Sequence, residues 1–354
     1  MKILAINPGA TSTKLGLYED TKEIFTEVIR HKHEELEKFD KPIDQLDYRN
    51  GLIEKFLMEK GIKYDDIDAV IGRGGLFHPL ESGTYIVNEK MIKDIKEGNL
   101  QDEHISNIGA LLAKNIADKA GVKAYITDPV CVDEFEDVAR ITGLPEFHRK
   151  SLFHALNIKY VSRKAAKALG KDLKELNLIV AHLGTGISIV AQRKGRVIDT
   201  NNPNDEGPFC PQRVGTLPTT QIIKLCYSGK YTEREMIIRA IKKGGMYAHL
   251  GTDNVGEVVQ KSKSDTHAKL ILDAMCYNIA KTIGAQITVL KGDVDAFILT
   301  GGIVYNNYCV DRIKERIIFM NKPVFVYPGE DELIAMAESV YNVESGIYPA
   351  KDYE

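Results

Sequence analysis

The stretch INPGATSTKLGLY, from Ile6 to Tyr18, sets Thr11, Ser12, Thr13 and Lys14 at a break between two apolar runs. Turn amides that converge on one point bind anions, and a lysine adds a point charge for a phosphate or carboxylate. A second break of the same kind lies in LIVAHLGTGISIV, residues 178–190, at Gly184, Thr185 and Gly186. One such loop is more often an ordinary exposed turn, but two matched loops suit a nucleoside triphosphate. Arg73 in GRGG and Arg213 in GPFCPQRVGTLP stand among glycines or prolines that let backbone approach a ligand. Singly each reads as a surface charge; as a pair they could neutralise phosphate oxygens. His154 and His182 adjoin apolar residues, as satisfied core histidines do, yet two of them could serve as neutral N–H donors to a transferring phosphoryl group. Asp128, in AYITDPV, falls at the C-terminal end of a strand, where open α/β sheets bind ligands. Glu332 opens the last helix and could be an N-terminal helix acid. A Mg²⁺ that keeps most of its waters needs only one or two such carboxylates beside nucleotide phosphates.

The elements that must position these residues come in two sets. DAVIGRGG at 68–75 and DAFILTGG at 295–302 share an acid, an alanine, an apolar pair and a closing Gly-Gly. Each half therefore offers a hairpin first and a Gly-Gly strand later, unevenly spaced, so insertions separate the copies. Duplication of this sort points to two related α/β domains facing each other across a cleft. Between the strands, residues 151–169 carry Leu152, Ala155, Ile158, Val161, Ala165 and Ala168 at helical spacing, with Ser151 as the expected N-cap. Residues 268–290 are apolar enough for a buried helix, and 331–340 make a last one.

Composition narrows the partners. The chain has 354 residues, more than one core usually serves, and a net charge of −3 without a basic arm or acidic tail. Nucleic acid and charged membranes are not expected partners. No apolar run nears the roughly 20 residues that span a bilayer, and residues 1–20 lack a signal-peptide pattern, so a cytoplasmic protein is expected. Five scattered cysteines without a CxxC pair read as free thiols. There is no GxxxxGK[ST], and GTGISI lacks the third glycine of a dinucleotide fingerprint. HKHEEL at 31–36 looks metal-like, but within its charged stretch it reads better as a solvated face.

Taken together, INPGATSTKLGLY, AVIGRGGLFHPLESGTY, RKSLFHALN, LIVAHLGTGISI, GPFCPQRVGTLP and LTGGI resemble the acetate and butyrate kinase family over nearly the whole chain. GRGGLFHP, RKSLFHALN and HLGTGIS are closer to its butyrate-kinase branch. The resemblance implies a duplicated actin-like (ribonuclease H-like) α/β fold with two lobes and a central cleft. The first lobe would span 1–153, with 331–354 packing back on it, and the second 154–330, binding nucleotide and forming a homodimer or higher homo-oligomer. It implies ATP/ADP and Mg²⁺ as cofactors, and phosphoryl transfer between ATP and a short-chain carboxylate, butanoate.

Site roles follow from the same resemblance. Asn7, Ser12 and Lys14 match the family's N-terminal loop, and Arg73 and Arg213 its two active-site arginines. His154 and His182 match two histidines, although ALN follows the first where GTS is usual and Thr185 replaces a common asparagine. Asp128 and Glu332 correspond to acids associated with Mg²⁺, with Glu330 and Asp331 adjoining the latter. Gly301 and Gly302 match a segment beside the adenosine, and His104 lies near a further family histidine. Gly75 replaces a bulkier residue, which suggests room for extra methylenes, with Phe153 and Pro208 as other walls of the acyl pocket. Two rivals stay open: a kinase for another short or branched acid such as propionate or isobutyrate, and a non-metabolic actin-like ATPase.

Overall fold

The two Asp-Ala-apolar stretches occupy equivalent places in two similar sheets, in a computed structural model that describes all 354 residues. One sheet joins β1 (Lys2–Pro8), β2 (Ser12–Glu19), β3 (Lys22–Arg30), β4 (Ala69–Arg73), β5 (Thr84–Ile86) and β6 (Lys123–Thr127) in the order β3-β2-β1-β4-β6-β5. The other joins β7 (Asn177–Leu183), β8 (Ile187–Arg193), β9 (Arg196–Thr200), β10 (Ala296–Gly301) and β11 (Val324–Pro328) in the order β11-β10-β7-β8-β9. In both, three antiparallel strands from a meander are extended by two parallel strands on the far side of the first. The first sheet adds β5, antiparallel to β6. The expected duplication is present, down to one detail that no pattern search would rank. Asp68 accepts from the Lys2 amide and donates its own amide to the Lys2 carbonyl; Asp295 and Asn177 repeat both bonds.

The chain divides into two compact units. The first holds Met1–Asp133, Ala155–Asn157 and Asp331–Glu354; the second holds Glu134–His154 and Ile158–Glu330. In the first, Ile3, Leu4, Ala5, Ile6, Ala69, Val70 and Ile71 are wholly buried, as continuous apolar strands covered on both faces should be. The helices Gly109–Ala120 and Glu332–Glu344 cover them. A Cβ on Gly72 would lie 2.0 Å from the Gly109 carbonyl oxygen, and one on Gly109 would lie 2.3 Å from the Arg73 carbonyl oxygen. Two glycines thus let that helix start directly against the end of β4, where Arg73 stands.

In the second unit, the helix Thr266–Val289 packs on β7, β8 and β9 and along the helix Asn307–Ile317. Asp265 caps it by accepting from the His267 and Ala268 amides. The helix expected from Ser151 starts instead at Ala155 and runs to Leu169, with His154 at the N-cap position. Ser151 is buried upstream, and Ala168 faces solvent.

Candidate functional site

In the first unit, strand register sets Lys14, Asn7 and Arg73 in a row across the ends of β2, β1 and β4. Lys14 pairs with Asn7, and Arg73 lies one step beyond the Ile6–Gly72 pair and opposite Thr127. Glu332, the first residue of its helix, meets this row. One carboxylate oxygen accepts from Asn7 Nδ2 at 2.6 Å, and the other lies 3.3 Å from Arg73 Nε. The Arg73 side chain is only 8% exposed, and its Nη1 is buried without a hydrogen-bond partner. A buried guanidinium N–H left unpaired costs on the order of 1–3 kcal/mol. Burial, and then the Arg73 charge, hold His104 below the ordinary histidine range.

The hairpin tip itself is tied down from beneath. Arg49, wholly buried in the helix Leu46–Glu59, donates to the Ser12 carbonyl at 3.1 Å, to the Ala10 carbonyl at 3.3 Å and to Thr13 Oγ1 at 3.0 Å. Its other two bonds go to Gln45 Oε1. Thr13 Oγ1 also lies 2.9 Å from His31 Nε2. The hydroxyls therefore divide: Thr13 is structural and buried, while Thr11 and Lys14 are exposed and Ser12 is half-buried. Nothing in the sequence marks Arg49, and His31 reads only as the first residue of HKHEEL. HKHEEL is a solvated face at His33 and beyond, but His31 is not part of it, being 8% exposed.

Asp128, directly after β6, is buried with φ 37°, a left-handed conformation that an aspartate tolerates better than most residues. Its Oδ1 accepts from Ser82 Oγ at 2.6 Å and from the Gly83 amide at 3.0 Å. Gly75 does not leave room for substrate. A Cβ there would lie 2.2 Å from Asn107 Oδ1 and 2.6 Å from Asn107 Cα. Asn107 occupies that space because its Oδ1 accepts the Leu76 amide at 2.7 Å. The missing side chain permits this backbone approach, and the chain-length argument from Gly75 falls.

In the second unit, His182 lies one residue before the end of β7, and its ring stacks on His154 with centroids 3.9 Å apart and planes within 10°. His154 Nδ1 lies 2.9 Å from Ser188 Oγ, and His182 Nε2 lies 3.1 Å from Glu330 Oε1. The adjoining loop folds tightly, with the Gly184 amide bonded to the Gly186 carbonyl and Thr185 exposed. The Arg213 guanidinium rests on Gly186, where a Cβ would lie 2.4 Å from Nη1. Arg213 pairs with no carboxylate, and burial lowers its pKa. Gly301, at φ 94°, lies so near the Leu183 carbonyl that its Cβ would come within 2.5 Å of it; Gly302 is open. Phe153 and Pro208 are buried. Glu330 and Glu332 are thus told apart by partner: Glu330 faces His182, and Glu332 faces Asn7 and Arg73.

No group of three or more His, Cys, Asp or Glu side chains could hold a metal ion. That excludes a closed all-protein cage; Asp128 and Glu332 each carry hard carboxylate oxygens of the kind Mg²⁺ takes when water and phosphate complete its shell.

Comparison with known proteins bears on the whole chain. The acetokinase family profile matches residues 146–321. Butyrate kinase 2 of Clostridium acetobutylicum is 48% identical over 355 residues, covering 100% of this chain and 99% of its own length, and butyrate kinase 1 of the same organism is 47% identical with the same coverage. The crystal structure of Porphyromonas gingivalis acetate kinase superposes with a TM-score of 0.79 at 20% identity, covering 96% of this chain and 98% of that one, which establishes the actin-like fold. The chain belongs to the acetokinase family, and the full-length relatives it resembles are butyrate kinases.

Proposed function

We propose that this protein transfers the γ-phosphoryl group of ATP reversibly to butanoate, giving ADP and butanoyl phosphate. The observation that carries the chemistry is the buried Arg73 Nη1 without a partner, beside a glutamate that already holds Nε. The full-length relatives, which are butyrate kinases, support butanoate as the acid.

A short-chain acid has a pKa of about 4 to 5, near that of Glu, so it arrives ionised and needs no general base. One carboxylate oxygen attacks the γ-phosphorus, and the bond to the bridging oxygen breaks with its electron pair leaving on ADP. The obstacle is repulsion between two anions. Arg73 offers Nη1 to the incoming anion, and Arg213, unpaired with any acid, offers a second guanidinium. His154 and His182, their planes set by stacking, donate N–H to equatorial phosphoryl oxygens. Asn7, Ser12 and Lys14 would border the phosphates, and Gly184, Thr185, Gly186, Gly301 and Gly302 the nucleotide, with the second unit as the nucleotide-binding lobe. Asp128 and Glu332 would hold Mg²⁺, which when bound supplies positive charge to phosphate oxygens.

A homodimer formed through the second unit belongs to this reading. The helices Thr219–Cys226 and Glu233–Ile241 support it, because neither buries a side chain although Ile223 and Ile237 are each 50% exposed. A cytoplasmic location is supported by five free thiols. No helix is long and apolar enough to cross a membrane.

The test is to trap acyl phosphate with hydroxylamine, supplying ATP, Mg²⁺ and acids from acetate to hexanoate, linear and branched. A maximum at butanoate that collapses in Arg73→Ala is the expected result. A maximum at another acid would keep the mechanism and move the substrate. ATP hydrolysis with no hydroxamate from any acid would overturn the reading.

A further inference from the structure

The segment Gly74–Gly83 connects two of the proposed groups. It starts from Arg73 and ends at Ser82 and Gly83, which hold the Asp128 carboxylate. Apart from the short bridge at Leu80 it contains no regular structure, so something else must fix its path. Residues 351–353 do so at two points. At its end, the Lys351 amide donates to the Thr84 carbonyl at 2.8 Å and the Ile86 amide donates to the Lys351 carbonyl at 3.0 Å, which adds the chain as a short parallel neighbour to β5. Gly83 faces the Lys351 side chain.

In the middle of the segment, Tyr353 is the anchor. It is 2% exposed, packs edge-on against the wholly buried Phe77 at 5.9 Å and lies 4.4 Å from the His78 ring. Its hydroxyl is 2.8 Å from His78 Nδ1 and donates to Asp94 Oδ2 at 3.1 Å, while Asn88 Nδ2 donates to its carbonyl at 2.8 Å. The Lys90 ammonium lies 5.4 Å from its ring centre. A side chain so completely satisfied fixes this stretch against the segment.

We infer that Tyr353, with the Lys351 backbone, positions the Gly74–Gly83 segment and through it Arg73 and Asp128. This is a positioning role within the phosphoryl transfer proposed above, and it rests on that reading. Tyr353 touches no reacting atom. It acts by holding Phe77 and His78, four and five residues after Arg73, and Lys351 acts by holding the residues that fix Asp128.

The test combines hydrogen exchange with kinetics on Tyr353→Ala, Tyr353→Phe and Lys351→Pro, the last of which removes the N–H that bonds Thr84. Expected are faster exchange in peptides covering 74–83 in Tyr353→Ala, and a fall of about 10- to 100-fold in kcat/KM for the acid, the scale of a small misplacement of reacting groups. KM for ATP should change several-fold less than kcat/KM for the acid, because Gly184, Thr185, Gly186, Gly301 and Gly302 lie elsewhere in the chain and Asp128 would reach the nucleotide only through Mg²⁺. Tyr353→Phe keeps both ring contacts and should recover most of the loss. Should Tyr353→Ala fail to fold, Lys351→Pro carries the same expectation. Unchanged exchange at 74–83, or faster exchange with wild-type kinetics for the acid, overturns the inference. So does equal damage to acid and nucleotide parameters, which would mark a general loss of structure. A wild-type protein that forms no hydroxamate sinks the proposed function instead, and the inference then stands or falls on the exchange of 74–83.

Discussion

The first hairpins of the two units share a topology and treat their arginines in opposite ways. Register aligns Asn7 with His182, Thr13 with Ile187 and Lys14 with Ser188. One residue before its end, each first strand carries a polar residue facing a glutamate, Glu332 for Asn7 and Glu330 for His182. Under the first loop, Arg49 is saturated with five hydrogen bonds to loop carbonyls, Thr13 and Gln45. On the second loop, Arg213 lies over a bare glycine and meets no acid. Where the first unit has a hydroxyl at Thr13, the second has the apolar Ile187, which asks for no donor. An arginine whose donors are all engaged holds a loop in place; one left unsaturated beside a loop is available to a ligand.

The sharpest way to break this distinction is to truncate the unsaturated arginines. Arg73→Ala is expected to lower kcat/KM for the acid by about 10²- to 10³-fold, the usual effect of losing a donor aimed at developing charge, and Arg213→Ala by a similar factor. Lysine should rescue neither, since a point charge does not reproduce the guanidinium fork. Thermal or urea unfolding of both variants should stay close to wild type, because no hydrogen bond of the Arg213 guanidinium is lost and Arg73 makes one ion pair.

Arg49→Met should invert that pattern. It leaves Thr13, two loop carbonyls and Gln45 without their donor, and a loss of about 2–4 kcal/mol in unfolding free energy is expected from so many orphaned groups. The double variant Thr13→Val with Arg49→Met imitates the apolar second hairpin and should recover part of the loss, because removing both partners is less harmful than removing one. Double-mutant urea titrations would decide it. Additive losses would mean that Arg49 stabilises the helix Leu46–Glu59 alone.

A smaller effect is expected at the second loop. In Gly186→Ala the new methyl group would meet the end of a flexible side chain, so Arg213 should swing aside and the fold should survive. A fall of about tenfold in kcat/KM with a melting temperature near wild type is the expected outcome. Unaltered kinetics would show that Arg213 is not needed where it lies.

Much of the architecture was legible because it is periodic. Two apolar runs around a small-residue break, and the paired DAVIGRGG and DAFILTGG, announce equivalent strands, and hydrophobic alternation reports burial directly. Arg73, His182 and Gly186 were legible for the same reason, since they lie at or near the ends of such strands. What was not legible depends on contacts distant in sequence. Arg49 sits in a helix of weak amphipathicity and reads as a surface charge until the hairpin is folded over it. Gly75 reads as empty space, because nothing nearby in sequence announces that Asn107 fills it. Tyr353 carries no periodic signal at all.

His31 gives the smallest expected effect and the most specific one. Its Nε2 lies 2.9 Å from Thr13 Oγ1, which also accepts from Arg49, and the direction of the bond follows the ring tautomer. Protonation would put a second cation beside Arg49 and charge a buried ring next to Tyr48. Burial first, and then the Arg49 charge, push the His31 pKa down to about 4 from its ordinary value near 6.5. The unfolded chain then binds the proton more readily, so the contribution of this residue is fully present above about pH 6.5 and is lost as pH falls toward 4. Urea titrations at pH 7.5 and 5.0 should show wild type losing stability between them, with the drop reduced in His31→Gln, which cannot titrate. An equal drop in both proteins would move the acid sensitivity elsewhere. Hydrogen exchange at the amides around the first hairpin should rise over the same pH step in wild type and less in His31→Gln.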